Sequence, residues 1–219
     1  MKLGPLVRRL FGPYERQISE MYRAIYIDID EFVDLIVRWQ PKPKKILEVG
    51  CGEGAVTQRL NAAFPDADIT AIDITQRVGR LYRGSLERVR FMQRTVQEIA
   101  AAEPKQYDLV VLSDVLHHVP EDLRQGLIDA IRAALTPDGT LVFKDWQRNR
   151  TPIHWLCYAS DRWLTGDRIS YMTREEMRER LARSFGAGAL LADARVGPWW
   201  NNLAILVRPP GSQRIMGPD

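Results

Sequence analysis

Two adjacent histidines, His117 and His118, follow an apolar run that ends in Ser113 and Asp114. The chain has one other histidine, His154. Imidazole has an unperturbed pKa of about 6.5, which suits it to take a proton from a hydroxyl near neutral pH. Adjacent residues point in different directions, so one of the pair can pack while the other stays polar. Asp145, at the end of a second apolar run, is the alternative base. Two more carboxylates sit at the ends of apolar runs. Glu48 precedes the turn Gly50-Cys51-Gly52-Glu53-Gly54, and Asp73 closes Asp68 to Asp73. A carboxylate at a strand tip can accept both hydroxyls of a ribose. Asp73 also reads as a helix N-cap, a role for which Thr75 competes.

The elements that position these groups follow from hydrophobic periodicity. Ile46 to Val49 reads as a short buried strand, and Val56 and Leu60 open a helix after the glycines. Strand, glycine turn and helix is the nucleotide-binding opening of a doubly wound sheet. Glycine accepts backbone angles that other residues resist and lets a ligand lie on the main chain. A dinucleotide site asks for G-x-G-x-x-G beneath a pyrophosphate. Here the third glycine comes one residue early. Glu48 would repel a pyrophosphate and suits a ligand with positive charge.

Further strands are expected at Asp68 to Asp73, Val89 to Gln93, Tyr107 to Ser113 and Thr140 to Trp146. A final pair, Ala189 to Val196 and Leu203 to Arg208, forms a hairpin. Helices are expected over Leu123 to Leu135 and after the capping box at Thr173. A long helical pattern from Tyr14 to Trp39 breaks near Asp28 to Asp30 and stops before Pro41 and Pro43.

The pattern E-x-G-x-G-x-G at Glu48 to Gly54 resembles the first motif of class I S-adenosylmethionine-dependent methyltransferases. "YDLVVLSDVLHHVP", from Tyr107 to Pro120, is similar to the fourth-strand motif of family members acting on quinones, lipids and natural products. The resemblance covers about residues 42 to 208. It implies a Rossmann-like α/β fold with a seven-stranded, mostly parallel sheet, a C-terminal antiparallel hairpin and an N-terminal helical lid. It implies S-adenosylmethionine as cofactor, held by Glu48, Gly50, Cys51, Gly52, Gly54, Asp73, Ile74, Thr95, Val96, Ser113 and Asp114. One departure concerns the adenine, because no Asp follows the third strand. Backbone groups or Thr95 would serve instead.

The expected organisation is a lid over 1–41, a cofactor domain over 42–208 and a flexible tail over 209–219. An insertion over 147–171, rich in aromatics, would wall the acceptor. Tyr22, Tyr26, His154 and Trp155 are the acceptor-binding candidates, with amphipathic packing as the other reading of the tyrosines. The reaction implied is an in-line displacement of methyl from a sulfonium onto a small apolar or aromatic acceptor, with His117, His118 or Asp145 as base. The rival readings are an accessory role on the same fold and an NAD-dependent oxidoreductase. The glycine spacing and Glu48 weigh against the second rival.

Hydrophobic residues at 45% and charged residues at 27% are globular values. A net charge of +3 without a dense basic stripe gives no case for nucleic acid. Two cysteines, one in the glycine turn, argue against a disulfide scaffold or a metal site and fit a cytoplasmic setting. No membrane span or secretory leader is expected. Residues 1–13 are basic and apolar, and read either as a cap on the core or as a peripheral lipid contact.

Overall fold

The computed structural model describes residues 26–160 and 169–209. The expected helix before Asp28, Tyr22, the segment 1–13 and the tail beyond Pro209 lie outside those residues. Seven strands form one sheet: β1 (Lys45–Val49), β2 (Asp68–Asp73), β3 (Val89–Gln93), β4 (Tyr107–Ser113), β5 (Leu135–Trp146), β6 (Leu190–Arg195) and β7 (Asn202–Val207). Their order is β3-β2-β1-β4-β5-β7-β6. The first five run parallel, and β7 lies antiparallel between β5 and β6.

Residues alternate faces along a strand, so one apolar run feeds two cores. In β4, Leu109 and Val111 pack on one side with Phe32, Ile36 and Leu60. Those partners come from α1 (Ile29–Trp39) and α2 (Ala55–Ala63). Val110 and Leu112 pack on the other side with Ile99, Ile128, Ile131 and Leu181. Those come from α3 (Val96–Ala102), α4 (Glu121–Ala134) and α6 (Arg174–Phe185). All four β4 side chains are fully buried, each stabilising the fold by about 1.5–3 kcal/mol. A polar substitution there would unseat one whole layer.

Local signals set the helix starts. Asp28 caps α1 by accepting from Glu31 N at 2.9 Å, which places the expected break at that residue. Thr173 and Glu176 form the expected capping box of α6. β5 begins earlier than its apolar run suggests. Leu135 pairs with Tyr107, an irregularity follows, and regular pairing resumes at Thr140. The stretch expected as a turn is thus absorbed into the strand. Past β5, the aromatic segment carries α5 (Pro152–Ser160). Among the described residues no helix is long and apolar enough to cross a membrane.

The strand order reverses between β1 and β4. Ligands of such sheets bind outside the carboxyl ends of the strands at this switch point. Gly50, Ser113 and Asp114 therefore stand side by side, with Asp145 one strand further on.

Candidate active site

The glycine turn uses three left-handed residues, with φ of 77° at Gly50, 51° at Gly52 and 91° at Gly54. At Gly50 a Cβ would lie 2.1 Å from Val115 Cγ2, so no other residue fits. At Gly52 a Cβ would meet nothing within 4 Å. There the open space leaves the backbone accessible, and the angle alone demands glycine. Asp73 anchors the turn by accepting from Gly52 N at 2.8 Å and Thr75 N at 2.9 Å. No helix follows Asp73 directly, so the N-cap alternative is overturned.

Thr95 caps α3, and its hydroxyl exchanges hydrogen bonds with Glu98 in a capping box.

Above the turn lies a cavity of about 580 Å³. Gly50, Asp73, Ile74, Thr95, Val96 and Asp114 line it, six of the eleven cofactor candidates. Val115, Leu123 and Leu127 add an apolar wall. Leu123 is 56% exposed, too open for a core position. Glu48, Cys51, Gly52, Gly54 and Ser113 support the turn and strand tips around this cavity without lining it.

Glu48 is buried, and its Oε2 has no hydrogen-bond partner. Burial pushes its pKa up to about 7, with Thr57 opposing and the charge of Asp73 adding to the rise. Burial, helped by Glu48 and Asp73, also pushes the Cys51 thiol up, so it stays protonated. A raised carboxyl pKa means that the folded state holds a proton which the unfolded chain has released. The stabilisation is complete below about pH 4.5 and is lost as pH rises through about 7. The melting temperature of the ligand-free protein is expected to fall over this window, and Glu48→Gln is expected to flatten the slope. The full swing is about 3 kcal/mol. Thermal melts from pH 5 to 8 that run parallel for the two proteins would refute this.

A second cavity, of about 150 Å³, adjoins the first through Asp114 and His118, which line both. Its other walls include Tyr26, His117, Lys144, Trp146, Cys157 and Tyr171. The Tyr26 and Trp146 rings meet edge to face at 5.9 Å between centroids. His117 Nδ1 makes a short contact with Asp145 Oδ1, and the His117 ring lies 4.1 Å from that of His118. The fully buried Asp145 accepts from His117 N at 3.2 Å and from Trp146 N at 2.7 Å. Burial raises the Asp145 pKa, but His117, the Trp146 N–H and Lys144 outweigh it and hold the carboxyl below its usual range.

His154 stands behind this wall, accepting from Trp146 Nε1 at 3.1 Å. Burial and then Arg148 lower its pKa, so it is the neutral orienter of an indole. Trp155 is 66% exposed and lines neither cavity. Lys144 and Asn202 line this cavity without having been candidates, whereas Cys157 and Tyr171 belong to the segment 147–171 that was expected to wall the acceptor. A lysine inside an apolar strand, Phe143-Lys144-Asp145, was the available signal.

Lys144 Nζ donates to both oxygens of Asp114 at 2.7 Å, and its side chain is 1% exposed. Asp114 has φ 56°, a left-handed angle that Asp tolerates better than most residues. Its N–H bonds Lys144 O at 2.9 Å, so two links hold the strand tips together. Asp114, His117 and Asp145 could also surround a metal ion. Their donor atoms are, however, already engaged by Lys144 and by one another.

Fold, glycine turn and strand order define a class I S-adenosylmethionine-dependent methyltransferase. Residues 19–186 match the family model described as "Methyltransferase domain", and the chain belongs to that family. It is 36% identical over 112 residues to a ubiquinone biosynthesis O-methyltransferase of Klebsiella pneumoniae. The match spans 48% of this chain and 44% of that relative, so the chain covers less than half the length of the curated relative it matches. Among solved structures, a Burkholderia thailandensis 1,6-didemethyltoxoflavin-N1-methyltransferase aligns with a TM-score of 0.64 at 18% identity. The alignment covers 94% of this chain and 88% of that one, which holds 1,6-didemethyltoxoflavin and S-adenosylhomocysteine. A Pyrococcus horikoshii protein aligns with a TM-score of 0.70 at 17% identity, over 93% and 98% of the two chains. At such identities these two structures support the fold alone.

Proposed function

We propose that this chain transfers the methyl group of S-adenosylmethionine to a hydroxyl on a small aromatic acceptor. One observation carries the reading: two cavities of different character meet at Asp114 and His118, beside the His117–Asp145 pair. The larger would take the cofactor. Asp73 would accept the ribose hydroxyls, and Ile74, Val96 and Val115 would flank the adenine. The backbone of the glycine turn and Asp114 would meet the methionine end. The smaller would take the acceptor, since a cavity of about 150 Å³ can hold one benzene-sized ring. The O-methyltransferase relative agrees with an oxygen nucleophile.

The sulfonium is already a good leaving group, so alignment supplies most of the acceleration, about 7–11 kcal/mol. The acceptor oxygen attacks the methyl carbon, and the carbon–sulfur electron pair returns to sulfur. The acceptor's proton leaves to His117 Nε2 while Asp145 holds Nδ1–H. In this reading the described part of segment 147–171 walls the acceptor through Cys157 and Tyr171.

Calorimetry with S-adenosylmethionine, S-adenosylhomocysteine and NAD tests the cofactor. Labelled methyl transfer to a panel of phenols tests the acceptor. Micromolar binding of the first two ligands with transfer to oxygen is expected. A preference for NAD would sink the reading, and tight cofactor binding with no transfer to any phenol would point to the accessory role.

A further inference from the structure

A lysine buried at an acceptor cavity needs a reason beyond packing. Lys144 stands on β5 between Phe143 and Asp145, yet its ammonium ends at the junction of the two cavities. One carboxylate lines the acceptor space there, Asp114 at the end of β4, and a second, Asp145 at the end of β5, is buried behind His117. Left alone, both would repel an acceptor oxygen that gains negative charge, because a like charge disfavours ionisation. Asp145 is answered by His117 and by the Trp146 N–H. Asp114 is answered by Lys144, through both oxygens. Among the described residues, the other titratable groups facing the space are His118 from the turn after β4, Cys157 from α5, and Tyr26 and Tyr171 from the flanking chain. None of these is a fixed cation.

We infer that Lys144 determines acceptor specificity, its buried ammonium selecting rings whose hydroxyl binds as the oxyanion. The inference rests on the acceptor cavity being a methyl-acceptor site. For a ring bound as the oxyanion the proton has already gone to His117 or to solvent, and in the step itself the new oxygen–carbon bond replaces the carbon–sulfur bond. Cofactor binding strengthens the effect. Asp114 lines both cavities, so the cofactor's cationic end would draw on that carboxylate from the far side and leave more of the ammonium's field to the acceptor.

4-Nitrophenol is a suitable probe because its phenolate is coloured, and nitrobenzene is the matching ring without a hydroxyl. Both are titrated into the protein loaded with S-adenosylhomocysteine. The wild type is expected to bind 4-nitrophenol more tightly than nitrobenzene and to lower its apparent pKa. In Lys144→Met that pKa is expected to rise by about one to three units, the shift a neighbouring opposite charge produces. Lys144→Arg is expected to retain part of the wild-type lowering. A purely structural lysine would leave the spectrum of bound phenol unmoved. Wild-type protein that binds S-adenosylhomocysteine but shows no preference for the phenolate overturns this inference alone. Wild-type protein that does not bind S-adenosylhomocysteine overturns the methyltransferase reading with it. Because the wild-type spectrum already decides the point, misfolding of Lys144→Met does not rescue the proposal.

Discussion

Replacing His117 by asparagine is expected to lower kcat by about 10²–10⁴-fold, the contribution of a positioned general base. His117 is 5% exposed and its Nδ1 is committed to Asp145, which fixes the ring. Asp145→Asn is expected to lower kcat as well, because an amide can donate to Nδ1 and so favour the wrong tautomer. The two losses should not add, since the groups act as a unit. Affinity for S-adenosylhomocysteine should stay near wild type in His117→Asn, because His117 does not line the cofactor cavity. Raising the pH should recover part of the lost rate, as more of the acceptor is then already ionised. Single-turnover methyl transfer measured across pH checks the rate losses and their recovery, and calorimetry with S-adenosylhomocysteine checks the affinity. A rate in His117→Asn within a factor of about three of wild type would mean that alignment alone drives the reaction.

The fold was legible where one physical cause dominated. Parallel strands buried on both faces read as unbroken apolar runs, and the glycine turn announced the first crossover. Asp28 and Thr173 marked helix starts because a capping side chain leaves a local signature. The candidate site was legible in its cofactor half. There the groups sit at strand tips, at distances along the chain that the fold imposes. The smaller cavity was legible only in part: Tyr26, His117 and His118 stood among the candidates, but how they come together was not, because the cavity is assembled from residues far apart in sequence. Tyr26, Cys157 and Tyr171 converge only through the packing of the flanking segments on the sheet edge. Lys144 was missed for a related reason. In a strand read for its scaffold value a charge looks like an interruption, and only the position of Asp114 across the ladder explains it. Thr95 carries two signals at once, because it lines the larger cavity and also caps α3.

Asp73→Ala is expected to weaken S-adenosylhomocysteine binding by about 10²–10⁴-fold, taking two charge-assisted hydrogen bonds at about 1.5–3 kcal/mol each. Two causes could contribute. Asp73 would bind the ribose hydroxyls, and it also holds the glycine turn through Gly52 N and Thr75 N. The turn has other fastenings: Gly50 N and Cys51 N both donate to Ile72 O, and Gly79 N donates to Gly52 O. The loss should therefore come mainly from the ribose. An analogue of S-adenosylhomocysteine without its 2′ and 3′ hydroxyls separates the causes. If the ribose dominates, this analogue binds wild type and variant about equally well, and the coupling between carboxylate and hydroxyls accounts for the whole difference. If the variant loses the analogue as severely as the natural ligand, Asp73 acts through the turn, and the ribose contact lies elsewhere on the cavity wall.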